Sequence, residues 1–246
     1  MKKITLFTFV LFCAFTPFAC DDLEKIRTAI SDEDITSGLK EALRIGSHKA
    51  GTELHVTNAY FGNQALKILL PADARALIEK TYSIPGAETL LTPIIATVIQ
   101  KMNDGAERAA NKSIPIFVNA ITTMTLTVAR NVLLGDDTAA TSYLKRKTFA
   151  NLTTAFAPSI DSTMNEVGAG TAWNSLFSNY NSFVNPLTRA TLGLETINPN
   201  LGEYATGRAL NGLFIKVAEQ EKSIRNNQID RTSDLLKRVF KLQDPD

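Results

Sequence analysis

Apolar residues recur three and four positions apart along most of the chain, the spacing of one face of an α-helix. The stretch from Phe117 to Thr148 shows this most plainly. Phe117, Val118, Ile121 and Met124 share a face, and Pro115 just before them suits a first helical turn because it has no N–H to leave unpaired. Thr125 can cap a second, short helix carrying Leu126, Ala129, Val132 and Leu133. Gly135 follows, where a glycine can take positive φ and close a helix. Asp136 or Asp137 then caps a third helix from about Thr138, with Ala139, Ala140, Tyr143 and Leu144 leading into the basic run Lys145-Arg146-Lys147. Capping accounts for both aspartates better than an ion site does.

On either side the same period continues. Asp32, Glu33 and Asp34 suit a first turn, with Ser31 and Asp34 resembling a capping box, and a helix follows to about Leu54 with Ile35, Leu39 and Leu43 inward. Gly38, Ala42, Gly46 and Ala50 form a small-residue row on it. Glycines inside a helix cost about 1 kcal/mol each relative to alanine, so the row predicts a close helix–helix approach. Residues 55–71 are the least helical part. Leu66, Ile68 and Leu70 alternate there, predicting a short strand or extended arm over 65–70. Helices are expected over Ala72–Tyr82, with Leu77 and Ile78 inward, and over Ala87–Lys112, whose wide apolar face is Leu90, Leu91, Ile94, Ile95, Val98, Ile99 and Met102. Pro93 either kinks that helix or lies in its first turns. The third central helix continues through Phe149, Leu152 and Phe156 until Pro158 breaks it. A stripe of Trp173, Leu176, Phe177, Tyr180 and Phe183 follows, residues 184–200 read as a loop, Asn200 opens a helix to about Ile224, and Ser233 or Thr232 caps a last one.

The fold class is therefore all-α: a helical-bundle-like single domain of about eight helices over residues 35–246, behind a tether at 20–34. Residues 1–19 read as a lipoprotein-type signal peptide. Lys2 and Lys3 precede an apolar run, Ile4 to Phe18, of signal-core length, and then come Ala19 and Cys20. The pattern predicts a diacylglyceryl group on Cys20, although Pro17 stands where leucine is usual. Ordinary signal cleavage fits less well, since it would set Pro17 or Phe18 three before the cut. The expected location is the bacterial cell envelope, lipid-anchored on the periplasmic side. Asp21 resembles an inner-membrane retention signal of enteric bacteria, but other bacteria read that position differently, so both membranes fit.

Removing residues 1–19 from the 246 takes away Cys13, Lys2 and Lys3 and leaves 227 residues with 24 basic and 25 acidic side chains. That balance argues against nucleic acid as a partner. With Cys20 acylated no thiol remains for a disulfide or a nucleophile. His48 and His55 are the only histidines. Their spacing of seven, with Glu53 between, lacks the i, i+4 pair of a helical zinc site, so no metal or cofactor is expected. Glu107 and Arg108 read as a solvated surface pair in preference to a Glu107 that reaches a buried partner, and Glu221 with Arg225 as an i, i+4 pair.

The segments SGLKEAL (37–43), KMNDGAERAA (101–110), AITTMTLTVARNVLLGDDTAATSYLKRKT (120–148), YATGRALNGLFIKVAEQEKSIRNN (204–227) and TSDLLKRVF (232–240) together resemble the bacterial family known as domain of unknown function 4197. The resemblance spans nearly all of the chain after the signal. It implies a helical envelope domain, often lipid-anchored, with no assigned activity and so no catalytic residues to carry over. At Val128-Ala129 this chain departs from the family's Asp-Ala. Two functions follow as expectations. One is a non-catalytic envelope protein that binds a lipid, a small apolar ligand or a protein partner, with Phe149, Phe156, Trp173 and Phe177 as candidate cavity lining. The other is a hydrolase of envelope material, using carboxylates among Glu107, Asp136 and Glu221 with Arg130; it requires two of them in one cleft.

Overall fold

Among the described residues there are ten α-helices and two short 3-10 turns, and no strand. The computed structural model describes residues 30–244 except 83, 84, 183, 194 and 199. The stretch expected to be a signal peptide, Cys20 and most of the expected tether lie outside the described residues. Asp32–Asp246 forms one compact unit with its own core. No single helix among the described residues is long and apolar enough to cross a membrane.

Helix α1, Asp32–Leu54, begins inside the stretch assigned to the tether, with the three acidic residues 32–34 in its first turn. It crosses the middle of the domain and buries Leu39, Leu43, Ala50 and Leu54. Packed around it are α4 (Ser113–Thr122), α5 (Leu126–Leu133), α9 (Leu201–Asn226) and α10 (Asp234–Phe240). The small-residue row does what its spacing predicts. A Cβ at Gly38 would come within 2.7 Å of Val239 on α10, and one at Gly46 within 3.3 Å of Gln220 on α9. The long helices α3 (Ala87–Ala110) and α6 (Ala139–Asn165) make the most extensive pair, and α9 covers α6 on another side. Completing the set are α2 (Ala72–Thr81), α7 (Ala169–Ser182) and α8 (Pro186–Leu192).

The expected strand or extended arm over 65–70 begins instead as a turn, Leu66 and Lys67 N–H both donating to Asn63 O, and 67–70 has no regular secondary structure. Leu66, Ile68 and Leu70 are buried, as alternation predicts. The Asn103 side chain stands in for a ladder partner: Ile68 N–H donates to its Oδ1 and its Nδ2 donates to Ile68 O, both at 2.9 Å.

Several local expectations change. Pro158 does not break α6, which continues to Asn165. It lies on the exposed side, where the carbonyl it leaves without a donor can meet water. The stretch 184–200 contains α8: Asn185 and Thr188 form a reciprocal capping box, Pro186 starts the helix, and Gly193 ends it at φ 62°. Gly135 does not have positive φ. A Cβ there would sit 2.6 Å from Ala139 Cβ, so close approach across the corner excludes a side chain. Val118 faces outward, while Phe117, Ile121 and Met124 are buried. The Thr125 cap forms, its Oγ1 accepting from Val128 N–H at 3.4 Å.

Candidate functional site

The predicted carboxylates are placed by different elements and do different things. Glu221, on α9, is 8% exposed, and its partner Arg225 one turn later is 5% exposed. Glu221 Oε1 accepts from Ala140 N–H at 2.9 Å and Arg225 Nε at 3.0 Å, while Oε2 accepts from Thr141 N–H at 2.7 Å and Thr141 Oγ1 at 2.8 Å. Each oxygen thus takes two donors, filling the capacity of a carboxylate. The N–H groups are among those that the start of α6 leaves without an intrahelical partner. Arg225 reaches the other way: Nη1 donates to Leu133 O at 2.9 Å and Nη2 to Val132 O at 2.8 Å, at the end of α5. The cavity beside this pair is about 20 Å³, room for about one water and no substrate.

Asp136 lies exposed at the same corner. Its Oδ1 accepts from Thr138 N–H at 2.9 Å and Thr138 Oγ1 at 3.0 Å, and these bonds, the backbone one first, hold its carboxyl below the usual range. It shapes the turn, while the orphan N–H groups of α6 belong to Glu221.

Glu107 is not solvated; it is 5% exposed. From the second half of α3 it accepts N–H bonds from Asn58 (3.0 Å), Tyr60 (3.0 Å) and Phe61 (3.3 Å). Asn58 has φ 66°, which helps turn its own amide and those of Tyr60 and Phe61 inward. The surface reading fails because the 55–62 loop has no helix or ladder to take its N–H groups, and a buried carboxylate supplies acceptors. Tyr60 carries the link onward, its hydroxyl donating to Ala209 O on α9 at 2.8 Å. Burial, and secondarily the Glu107 charge, push its phenol well above the usual range. His55 Nδ1 lies 2.9 Å from Glu107 O. Arg108 does remain at the surface, paired with Glu166 at 2.8 Å.

Arg130 is exposed, 3.5 Å from Asp32. The structure therefore joins Glu221 and Asp136 at one corner and leaves Glu107 and Arg130 on other elements. Among the described residues no three His, Cys, Asp or Glu side chains gather as a metal set. Arg231 escaped the sequence reading. It is fully buried and ends α9 by donating to Ile224 O (3.1 Å) and Arg225 O (2.7 Å), while Asp244 binds its guanidinium through both oxygens at 2.9 and 2.6 Å.

A roomy apolar feature lies elsewhere: a groove of about 520 Å³ between α2, the first half of α3 and the start of α7. One wall is Leu91, Ile94, Ile95 and Val98 of α3, with Leu77 and Ile78 of α2 and Leu70 at the end of the segment that Asn103 holds. The other is Val167, Ala169, Ala172, Trp173 and Phe177. Gly168, at φ 64°, turns the chain between α6 and α7 there. The Trp173 and Phe177 rings meet with centroids 4.4 Å apart. Near this turn Glu166 accepts from Lys101 at 2.9 Å and Arg108 at 2.8 Å, tying the end of α6 to α3. Those bonds, Lys101 first, keep the Glu166 carboxyl below its ordinary range.

Of the four predicted lining residues, Trp173 and Phe177 line the groove and Phe149 and Phe156 do not. Phe156 is buried in the core with Leu152 and Ile160, a stripe stepping every fourth residue along α6. Phe149 is one position off that stripe and is 40% exposed. The α3 residues carried a strong sequence signal as an apolar face, but periodicity does not separate a core face from a groove wall.

No curated protein and no solved structure matches the chain. A family model described as a protein of unknown function (DUF4197) matches residues 29–241, nearly the whole of the domain just described. By that match the chain belongs to the DUF4197 family.

Proposed function

We propose that this domain is a non-catalytic, lipid-anchored envelope protein, held by an acyl group on Cys20, that binds a chain-like apolar ligand such as a lipid acyl chain in the α2–α3–α7 groove. The observation that carries the ligand reading is the groove itself. Its size falls in the ~300–1,000 Å³ range of ligand sites, and its lining is aliphatic and aromatic. Its few polar side-chain atoms are already bonded: Thr97 Oγ1 donates to Pro93 O at 2.9 Å and Trp173 Nε1 to Asn198 O at 3.4 Å. A ligand headgroup finds no partner inside, so recognition comes from the chain. Against the hydrolase reading, the oxygens of Glu107 and Glu221 are taken by backbone N–H groups, and neither carboxylate faces the groove.

Trp173 is the only tryptophan in the chain, which makes a direct test possible. Residues 21–246 are titrated with brominated fatty acids of increasing length, and Trp173 fluorescence is followed. Saturable quenching is expected, with affinity rising about fourfold per added methylene, from ~0.8 kcal/mol each, until the groove is full. Ala172→Phe fills the groove and is expected to abolish quenching without lowering Tm. Quenching that never saturates, or that is unchanged in Ala172→Phe, overturns the reading.

A further inference from the structure

We propose that the rim of this groove is a lipid-docking surface, where the domain meets the hydrocarbon boundary of a membrane and through which an acyl chain enters; the inference rests on the ligand reading above. Side chains that wall the groove also face water at its mouth. Ile94 on one wall is 54% exposed and Val167 on the other is 43% exposed. Leu90 lies one turn before Ile94 on the same face of α3 and is 67% exposed. Scattered exposed leucines are ordinary, but these three flank one apolar opening.

The chemistry of the rim selects the occupant. From Thr89 to Gln100 there is no charged residue. A protein interface surrounds its apolar centre with a polar rim, whereas a lipid surface requires no such ring. Leu90 N–H already donates to Gly86 O, so from Leu90 onward the N–H groups are bonded within the helix and this part can enter an apolar boundary; the carbonyl that Pro93 leaves without a helical donor, Thr89 O, is on an exposed residue before it. It also lacks the lysines and arginines of a helix drawn to anionic headgroups. The attraction is therefore hydrophobic and insensitive to salt.

The test is flotation of residues 21–246, which carry no lipid anchor, with phosphatidylcholine vesicles. The wild-type domain is expected to float with the vesicles equally at low and high salt. Leu90 does not line the groove, so Leu90→Asp is expected to lower the vesicle-bound fraction about tenfold or more, while saturable quenching of Trp173 by a brominated fatty acid persists. Leu90→Phe is expected to bind vesicles as the wild type does. A wild-type domain that stays with the unbound fraction overturns the proposal and assigns the rim to a protein partner. Binding restricted to anionic vesicles and lost at high salt, or unimpaired flotation of Leu90→Asp, overturns it too. Flotation without saturable quenching would overturn the groove ligand and leave the docking surface standing; quenching without flotation does the reverse.

Discussion

Glu221 and Arg225, one turn apart on α9 and 3.0 Å from each other, hold the facing ends of two other helices. The carboxylate takes the N–H groups at the start of α6, and the guanidinium takes the carbonyls at the end of α5. The corner between those helices, Leu134 to Thr138, is thus fixed from outside. Both charges are removed from water, and each is compensated by the other and by a helix end of opposite sign.

This arrangement predicts a large cost for breaking one half. Arg225→Met leaves Glu221 buried with one cation missing, and about 3–5 kcal/mol of stability should be lost. Glu221→Gln should fall in a similar range, since an amide cannot accept all the donors. The double variant should cost less than the sum, because the two side chains share a network. Urea midpoints at unchanged m-value read this out; strict additivity would contradict the coupling.

Glu107 predicts a local effect. Glu107→Ala strands three amides of the 55–62 loop, and about 1–3 kcal/mol should be lost for each that finds no water. Hydrogen exchange should accelerate at Asn58, Tyr60 and Phe61 before it does in α6 or α9. Unchanged protection of those amides would show that the carboxylate does not hold the loop.

Three glycines separate close packing from helix propensity. At Gly105 a Cβ would lie 2.5 Å from Thr163 Oγ1 and 2.7 Å from the Ile160 backbone, which cannot move aside cheaply. Gly105→Ala should therefore destabilise by about 1–3 kcal/mol. Gly38→Leu should also destabilise, more than an ordinary surface change, because Val239 already fills the space. Nothing lies within 4 Å of a Cβ at Gly207, so Gly207→Ala should stabilise by up to ~1 kcal/mol. Thermal melts of the three variants check the order.

Acid should weaken the domain in a defined window. Glu166, Asp136 and Asp244 are all held below their ordinary values, by the Lys101 and Arg108 donors, by the Thr138 N–H and by the Arg231 guanidinium respectively. Unfolded, these groups titrate near 4.5 for Glu and 3.8 for Asp. Their contribution is complete above those values and is lost as pH falls through the lower folded ones. Urea midpoints should be steady above pH 4.5 and drop below it. Glu166→Gln with Asp136→Asn and Asp244→Asn should flatten the drop.

The helices were legible where the information is local. Thr125, Asn200 and Ser233 cap as their positions predict, and the row from Gly38 to Ala50 marks a close approach. The two-turn α8 was also written locally, in Asn185, Pro186, Thr188 and Gly193, but two prolines in the segment favoured a loop reading. Pro158 misled for the opposite reason: a proline on the solvent face of a well-packed helix need not end it.

Sequence alone determined an all-α chain, because periodic burial and capping depend on residues within a turn or two of each other. Tertiary structure alone decided the rest. Glu221 meets Ala140 across 81 positions and Glu107 meets Asn58 across 49, and no local pattern says which distant helix end or loop will present its N–H groups. The α3 face from Leu91 to Val98 reads the same whether another helix covers it or not. Only the placement of α2 and α7 beside it leaves a groove there, because an apolar stripe specifies that it will avoid water but not what will cover it.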